Sequence, residues 1–134
     1  MALDATARIG SMQDTKMLTE AHAIAEQARL RGDHPALIYG GTTLSYAQLD
    51  ERANQVANGL LGRALKIRGR VATLAKNGLE YFELLYGIGR AGMAVLPANW
   101  RLAAPEIAYI HDDAEVECLF YDAAFEDTVR SIRT

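Results

Sequence analysis

The sequence has 134 residues, half of them hydrophobic, and a formal net charge of −3. This length and composition fit one domain with its own core. The slight negative charge argues against a dedicated binder of nucleic acid, and no apolar run is long enough to span a membrane. The N-terminus lacks the apolar segment of a secretory signal and carries Asp4. We therefore expect a cytoplasmic protein whose partners include no nucleic acid and that has no membrane span.

No catalytic or metal-binding set is recognisable in the sequence. The single cysteine, Cys118, excludes an internal disulfide and a cysteine-based zinc cluster, and its apolar neighbours predict a small core residue rather than a reactive thiol. The three histidines, His22, His34 and His111, lack metal-ligand spacing. We interpret His111 and the two aspartates after it as a surface charge cluster. Walker and nucleophile-elbow motifs are also absent. The prediction is no catalytic, no cofactor-binding and no metal-binding residue.

The N-terminal part of the chain predicts a flexible start and one helix. Residues 1–14 show no hydrophobic period and are expected to be flexible. A helix is expected from Thr15 to Arg31, and the sequence of residues 32–35, GDHP, ends it. One face of this helix would carry Leu18, Ala21, Ala25 and Ala28.

A hairpin and a second helix follow. Gly40-Gly41 is a two-residue turn signal between short apolar runs. Ser45 and Gln48 have the form of a capping box and open a helix that fades near Gly62. The predicted strands are Ala36–Tyr39 and Thr42–Leu44, and the apolar face of the helix comprises Leu49, Ala53, Val56, Ala57 and Leu60.

A basic connection leads into the first buried strand, Val71–Ala75. Either it contacts a phosphate or it is a solvated loop, and the solvated loop is favoured because isolated surface charges need no partner. The basic residues are Arg63, Lys66, Arg68 and Arg70.

The stretch from Lys76 to Leu102 predicts a helix followed by a buried strand. Its first half has one apolar stripe at helical spacing, with Asn77 as N-cap and Glu80 completing a capping box. Met93–Pro97 is an unbroken apolar run, which is typical of a strand covered on both faces. A helix feeding a buried strand is half of a βαβ unit. The stripe comprises Tyr81, Leu84, Leu85, Ile88 and Ala91.

Three glycines in this stretch imitate a dinucleotide-binding fingerprint. Gly87, Gly89 and Gly92 match G-x-G-x-x-G, and Asp112 lies at a plausible distance for a ribose-binding acid. The fingerprint works only where a strand passes into the start of a helix, whereas these glycines close a helix, whose carbonyl end repels phosphate. We therefore disfavour a Rossmann oxidoreductase and interpret Gly87 and Gly89 as allowing this helix to pack closely on the sheet.

The C-terminal part predicts two more helices around one strand. Pro105 lies in the first turn of a helix capped at Ala104 and ended by Asp112-Asp113. Val116–Tyr121 is a strand, and the spacing of Phe125, Val129 and Ile132 indicates a final short helix. Strands alternating with helices define the α/β class: a parallel sheet with flanking helices and right-handed crossovers, preceded by a small hairpin.

Taken in order, these segments resemble the N-terminal part of the adenylate-forming superfamily, which includes the acyl-CoA synthetases. Residues 35–61 resemble the first core motif of that family, centred on Leu44–Leu49, and residues 70–110 resemble the second, with its junction at Ala91-Gly92. Asn99–Leu102 suits the fatty- and aryl-acyl-CoA ligases better than the peptide synthetases. The resemblance covers Leu18 to Tyr121, although the loop before Val71 is one residue short.

The resemblance implies an ATP-dependent acid–CoA ligase that forms an acyl-adenylate and then an acyl-CoA, using ATP, Mg²⁺ and CoA in the full-length family. Residues 15–134 would be a partial N-terminal subdomain, and the two motifs are structural, so no catalytic residue carries over. The Ser/Thr/Gly-rich phosphate loop, the adenine-binding motifs and the C-terminal domain are not in this sequence. We therefore expect a scaffold without cofactor of its own, whose partner is the remainder of a ligase or a complementing chain. The alternative is a free-standing α/β module that binds a partner protein or self-associates.

Overall fold

The computed structural model describes residues 19–132, so the predicted flexible segment 1–14 lies outside the described residues. The helices are α1 (Glu20–Arg31), α2 (Tyr46–Leu61), α3 (Leu79–Arg90), α4 (Ala104–Asp113) and α5 (Glu126–Ile132). The strands are β1 (Pro35–Tyr39), β2 (Thr42–Ser45), β3 (Arg70–Leu74), β4 (Ala94–Pro97) and β5 (Val116–Tyr121), and a 3-10 turn covers Ala123–Phe125. No described helix combines the length and apolar character needed to cross a membrane.

The main sheet is parallel, as predicted, with the strand order β4-β3-β5. Helices α2 and α3 pack on one face around a first core and α4 and α5 pack on the other around a second core. The first core consists of Ala57, Leu60, Val71, Ile88, Ala91 and Met93. The second consists of Leu74, Ala98, Ile107 and Val129. Because β3 lies between the other strands and under both layers, its residues from Val71 to Leu74 are all buried.

The hairpin and the second helix form as predicted. β1 and β2 pair antiparallel, and both turn glycines adopt positive φ, 57° at Gly40 and 81° at Gly41, a conformation that side chains disfavour. The backbone N–H of Gln48 donates to Ser45 Oγ at 3.2 Å, and the N–H of Ser45 donates to Gln48 Oε1 at 2.9 Å. The capping box is therefore complete.

Helix α1 differs from its prediction in start and in face. It begins at Glu20 rather than near Thr15, because Thr19 is extended and its hydroxyl accepts a bond from the N–H of His22. The buried residues are Ala21 and Ile24, whereas Ala25 is exposed. Three alanines at helical spacing did not fix the buried face, since alanine is tolerated on either side of a helix.

Two of the predicted helix caps are wrong by one residue. Gly78, not Asn77, is the N-cap of α3 and makes no side-chain cap bond, so Glu80 has no capping partner there. Ala103, not Ala104, is the N-cap of α4, and Glu106 accepts a bond from its N–H at 2.8 Å. The end of α4 at Asp113 is as predicted.

The strand β4 was wrongly predicted as covered on both faces. It begins at Ala94 and lies at an edge of the sheet, with Ala94 and Pro97 exposed. An unbroken apolar run does not distinguish a central strand from an edge strand. The true central strand is β3, whose sequence RVATL is less hydrophobic than the AVLP of β4.

Gly87 and Gly89 have different environments. A Cβ atom at Gly87 would lie 2.5 Å from Val56 Cβ and 2.8 Å from the carbonyl oxygen of Ala53, both in α2. A Cβ atom at Gly89 would meet nothing within 4 Å. Close packing is therefore real at Gly87, but against a helix rather than the predicted sheet, and it is absent at Gly89.

Arg90, the last residue of α3, forms hydrogen bonds with both α1 and α2. Its guanidinium donates to Asp50 Oδ1 at 2.7 Å and to Asn54 Oδ1 at 2.7 Å in α2, and to the carbonyl oxygen of Ala21 in α1 at 3.0 Å. The side chains of Arg90 and Asp50 are only 19% and 24% exposed. This network fixes α1 on the α2–α3 pair.

Candidate functional site: a crevice at the carboxyl ends of two strands

The direction of winding reverses between β3 and β5. The chain leaves β3 through α3 on one face of the sheet, and it leaves β5 towards α5 on the other face. The carboxyl ends of two such neighbouring strands diverge into a crevice, which is where open α/β sheets bind ligands. The structure has a cleft of about 370 Å³ at this position.

The cleft is built from the residues that follow the strands. Ala75 and Lys76 come directly after β3, and Tyr121 and Asp122 lie at the end of β5. The first turns of α3 complete the wall with Glu80, Tyr81 and Leu84, and Phe120 adds apolar surface. The lining is therefore mixed, with one cationic and two anionic side chains over a partly aromatic floor.

Lys76 connects the cleft to a neighbouring cationic surface. Its Nζ lies 5.0 Å from the ring centroid of Trp100, and the guanidinium carbon of Arg101 lies 4.2 Å from the same centroid. Cations are attracted to an indole face, so this one ring holds both side chains near the loop after β4.

The two polar residues at the end of β5 already have structural partners. Asp122 caps the 3-10 turn, its carboxylate accepting a bond from the N–H of Ala124 at 2.9 Å. The hydroxyl of Tyr121 donates to Glu126 Oε2 at 2.6 Å. Described residues 19–132 place no group of three histidine, cysteine or acidic side chains where a metal ion would bind.

The histidines and the cysteine lie away from this crevice. Nδ1 of His22 is 2.8 Å from the hydroxyl of Thr19, and His34 is exposed at the turn before β1. His111 differs from its interpretation as a surface charge: it is half-buried, burial lowers its pKa below 6.5, and the charge of Asp112 opposes that shift only in part. Its Nε2 is buried without a hydrogen-bond partner among the described residues. Cys118 packs against the first core, as predicted for a small core residue.

The basic connection is exposed, as a solvated loop requires. The side chains of Arg63, Lys66 and Arg68 are exposed, and Arg70 is 3.9 Å from Glu115, with both of those side chains largely in solvent. The loop backbone is held instead by Glu117, whose carboxylate accepts a bond from the N–H of Lys66 at 2.8 Å.

Comparison with known proteins now assigns the family. The family model described as "AMP-binding enzyme" matches residues 24–133. A fatty acid–[acyl-carrier-protein] ligase, ScoC, from Streptomyces coeruleorubidus is 37% identical over 98 residues, which is 73% of this chain and 19% of that protein. Feruloyl-CoA synthase from an Amycolatopsis species is 34% identical over 106 residues, covering 79% of this chain and 22% of that protein.

The solved structures agree with the sequence match. The inhibitor-bound N-terminal domain of FACL13 from Mycobacterium tuberculosis superposes with a TM-score of 0.80 at 28% identity, covering 85% of this chain and 29% of that one. The fold is thus that of the N-terminal portion of adenylate-forming ligases, and the chain belongs to the AMP-binding enzyme family. It spans about a fifth of the length of the curated relatives described above.

Sequence reasoning named no site residue and missed the crevice. A usable signal was present, because Lys76 and Asp122 each follow a predicted strand and the carboxyl ends of parallel strands share one edge of the sheet. What the sequence did not reveal is the strand order. Without it, β3 and β5 are not known to be neighbours.

Proposed function

We propose that this chain is the N-terminal scaffold of an ATP-dependent acid–thiol ligase. Such an enzyme activates a carboxylate as an acyl-adenylate and transfers the acyl group to CoA or to a carrier protein. The match of the AMP-binding enzyme model to residues 24–133 carries this proposal. Both relatives named above act on carboxylic acids, one fatty and one aryl, and they differ in the thiol that accepts the acyl group.

The proposed cofactors are ATP, Mg²⁺ and, for the CoA branch, CoA, as is general among AMP-binding ligases. Adenylate formation transfers the adenylyl group of ATP to the carboxylate and releases pyrophosphate, and it needs fixed positive charge around the phosphate under attack. Among the described residues that line the crevice, Lys76 is the one cation. The contribution of this chain is therefore to position one wall of a larger site, whose chemistry belongs to the rest of the enzyme.

The test exchanges the matching segment within a working relative. Residues 19–132 replace the corresponding part of the Amycolatopsis feruloyl-CoA synthase, and the chimera and the isolated chain are assayed for ATP-dependent hydroxamate formation from ferulate. The proposal expects activity in the chimera and none in the isolated chain. Hydroxamate formation by the isolated chain, or its absence from a chimera shown by circular dichroism to be folded, would overturn it.

A further inference from the structure

The connection between α2 and β3 is strongly basic in an otherwise acidic chain. Residues 52–79 contain six basic residues and no acidic one, although the net charge of the whole chain is −3. The side chains of Arg63, Lys66 and Arg68 are exposed, and they form no ion pair or side-chain hydrogen bond within residues 19–132. Arg70, by contrast, lies 3.9 Å from Glu115. Three cations of this connection are therefore available to a partner outside the described residues.

Exposed apolar side chains lie among these cations. Ile67 stands between Lys66 and Arg68 in the sequence and is 85% exposed, the highest value among the large apolar side chains of residues 19–132 that face solvent. Leu61, at the end of α2, is 61% exposed. Isolated apolar residues on a surface are ordinary. Apolar side chains bordered by unpaired cations, however, are the combination that binds the interface of an anionic lipid bilayer.

The exposure of Ile67 is fixed by backbone hydrogen bonds. The N–H of Gly69 donates to the carbonyl oxygen of Lys66 at 2.9 Å, so residues 66–69 form a turn with Ile67 and Arg68 at its centre. The N–H of Arg68 donates to the carbonyl oxygen of Gly92 at 3.1 Å, and the N–H of Lys66 donates to the carboxylate of Glu117 at 2.8 Å. Ile67 therefore cannot turn inward onto the core unless these bonds break.

Arg68 has a backbone conformation that favours glycine. Its φ is 64°, and the third position of a type II turn, which needs a positive φ, is usually glycine. A residue with a side chain is strained there. Strain of this kind persists where a side chain serves a function, so the strained turn points to a role for the guanidinium of Arg68.

The turn lies at the opposite edge of the sheet from the crevice. It ends directly before Arg70, the first residue of β3, whereas the crevice begins with Ala75 and Lys76, directly after the last. The five residues of β3 separate the two by about 16 Å, at a rise of about 3.3 Å per residue. A surface bound at the turn therefore leaves the crevice open.

We propose that this turn, with Leu61 and Arg63 beside it, docks the protein on an anionic lipid bilayer surface. Ile67 enters the boundary between headgroups and acyl chains, and Arg63, Lys66 and Arg68 contact lipid phosphates. A lipid interface is favoured over an acidic protein because Ile67 protrudes from a turn, whereas the strong contacts between proteins lie in packed pockets. This docking does not depend on the ligase chemistry proposed above, and it is a surface contact without a membrane span.

Co-sedimentation with lipid vesicles tests the proposal on the full chain. We expect binding to vesicles of equal parts phosphatidylcholine and phosphatidylglycerol, little binding to phosphatidylcholine alone, and a loss of binding as salt rises from about 0.05 to about 0.5 M. Ile67→Ser should weaken binding by about 10-fold or more, and Arg68→Gly by about five-fold. Ile38→Ser, the matched control, changes a side chain that is 74% exposed in β1 and should leave binding unchanged. Arg68→Gly should also raise the midpoint of urea unfolding, since glycine adopts a positive φ without strain, so its weaker binding would not reflect unfolding.

Several results would overturn the proposal. Absence of vesicle binding by a chain that circular dichroism shows to be folded would do so, as would equal binding to neutral vesicles or an equal effect of Ile38→Ser. Binding of poly-L-glutamate without binding of vesicles would assign the turn to an acidic protein instead. Dimers in analytical ultracentrifugation that Ile67→Ser abolishes would assign it to a second copy of the chain. The feruloyl-CoA synthase chimera should bind the anionic vesicles as well as the isolated chain does, and loss of binding there would mean that the rest of the ligase covers the turn.

Discussion

The two glycines of α3 provide a matched pair of substitutions. Gly87→Ala and Gly89→Ala make the same chemical change two residues apart in one helix, and both remove the conformational freedom of glycine. Each therefore gains about 1 kcal/mol of helix propensity. They differ in what the new methyl group meets, which is α2 at position 87 and open space at position 89.

The expected difference can be worked out from the contacts. At position 87 the methyl carbon would lie 2.5 Å from Val56 Cβ and 2.8 Å from the Ala53 carbonyl oxygen. Neither atom can rotate away, because one is a Cβ and the other belongs to the backbone. Overpacking of this kind costs about 1–3 kcal/mol. Because the gain in propensity is common to both variants, we expect them to differ by about 1–3 kcal/mol, with Gly89→Ala at least as stable as the wild type.

Urea unfolding followed by far-ultraviolet circular dichroism measures this difference. The slope against urea should be similar in all three proteins, so that the midpoints report stability. If Gly87→Ala proved as stable as Gly89→Ala, the α2–α3 contact would not be as close as described. That result would also remove the physical reason for a glycine at position 87.

Three further predictions concern single side chains. Arg90→Ala should lower the free energy of unfolding in urea by about 2–3 kcal/mol, because it removes charge-assisted hydrogen bonds to two helices. The control, Arg130→Ala, breaks an exposed ion pair and should cost at most about 0.5 kcal/mol. Equal costs would contradict the role of Arg90 in holding α1 on α2 and α3. Ser45→Ala should cost about 1 kcal/mol by leaving the N–H of Gln48 without its cap, and Ser45→Thr should restore most of it, which thermal unfolding would show. Burial lowers the pKa of His111, so the unfolded chain binds the imidazole proton more tightly than the folded chain, and the free energy of unfolding falls as the pH drops through 6.5. His111→Leu should reduce the loss of melting temperature over this pH range. An unchanged dependence of melting temperature on pH would refute a lowered pKa of His111.

The sequence predicted the element order well because several independent signals agreed. The hairpin depended on Gly40-Gly41 and the second helix on the capping box at Ser45, and both are local features that the structure retains. The alternation of strands and helices was enough for the parallel sheet. The glycine fingerprint was correctly set aside, since Gly92 follows the end of α3 with a positive φ of 76° and leads into β4.

The predictions that failed depended on tertiary neighbours. The sequence of β4 does not show that the strand lies at an edge of the sheet. Strand order depends on the direction in which each helical crossover connects one strand to the next. The interpretation of His111 and the two aspartates after it as a surface charge cluster holds for the exposed aspartates but not for His111, which is half-buried. The crevice at Lys76 was missed because it exists only where β3 and β5 become neighbours.

We propose above that these residues are the scaffold of a larger AMP-binding enzyme. The most direct test is to read the coding sequence beyond Thr134. We expect it to continue, within a few tens of codons, into a Ser/Thr/Gly-rich loop ending in Pro-Lys-Gly, which the family resemblance identifies as the phosphate-binding segment. A stop codon directly after Thr134 would contradict the claim, and the partner-binding α/β module would then become the leading interpretation.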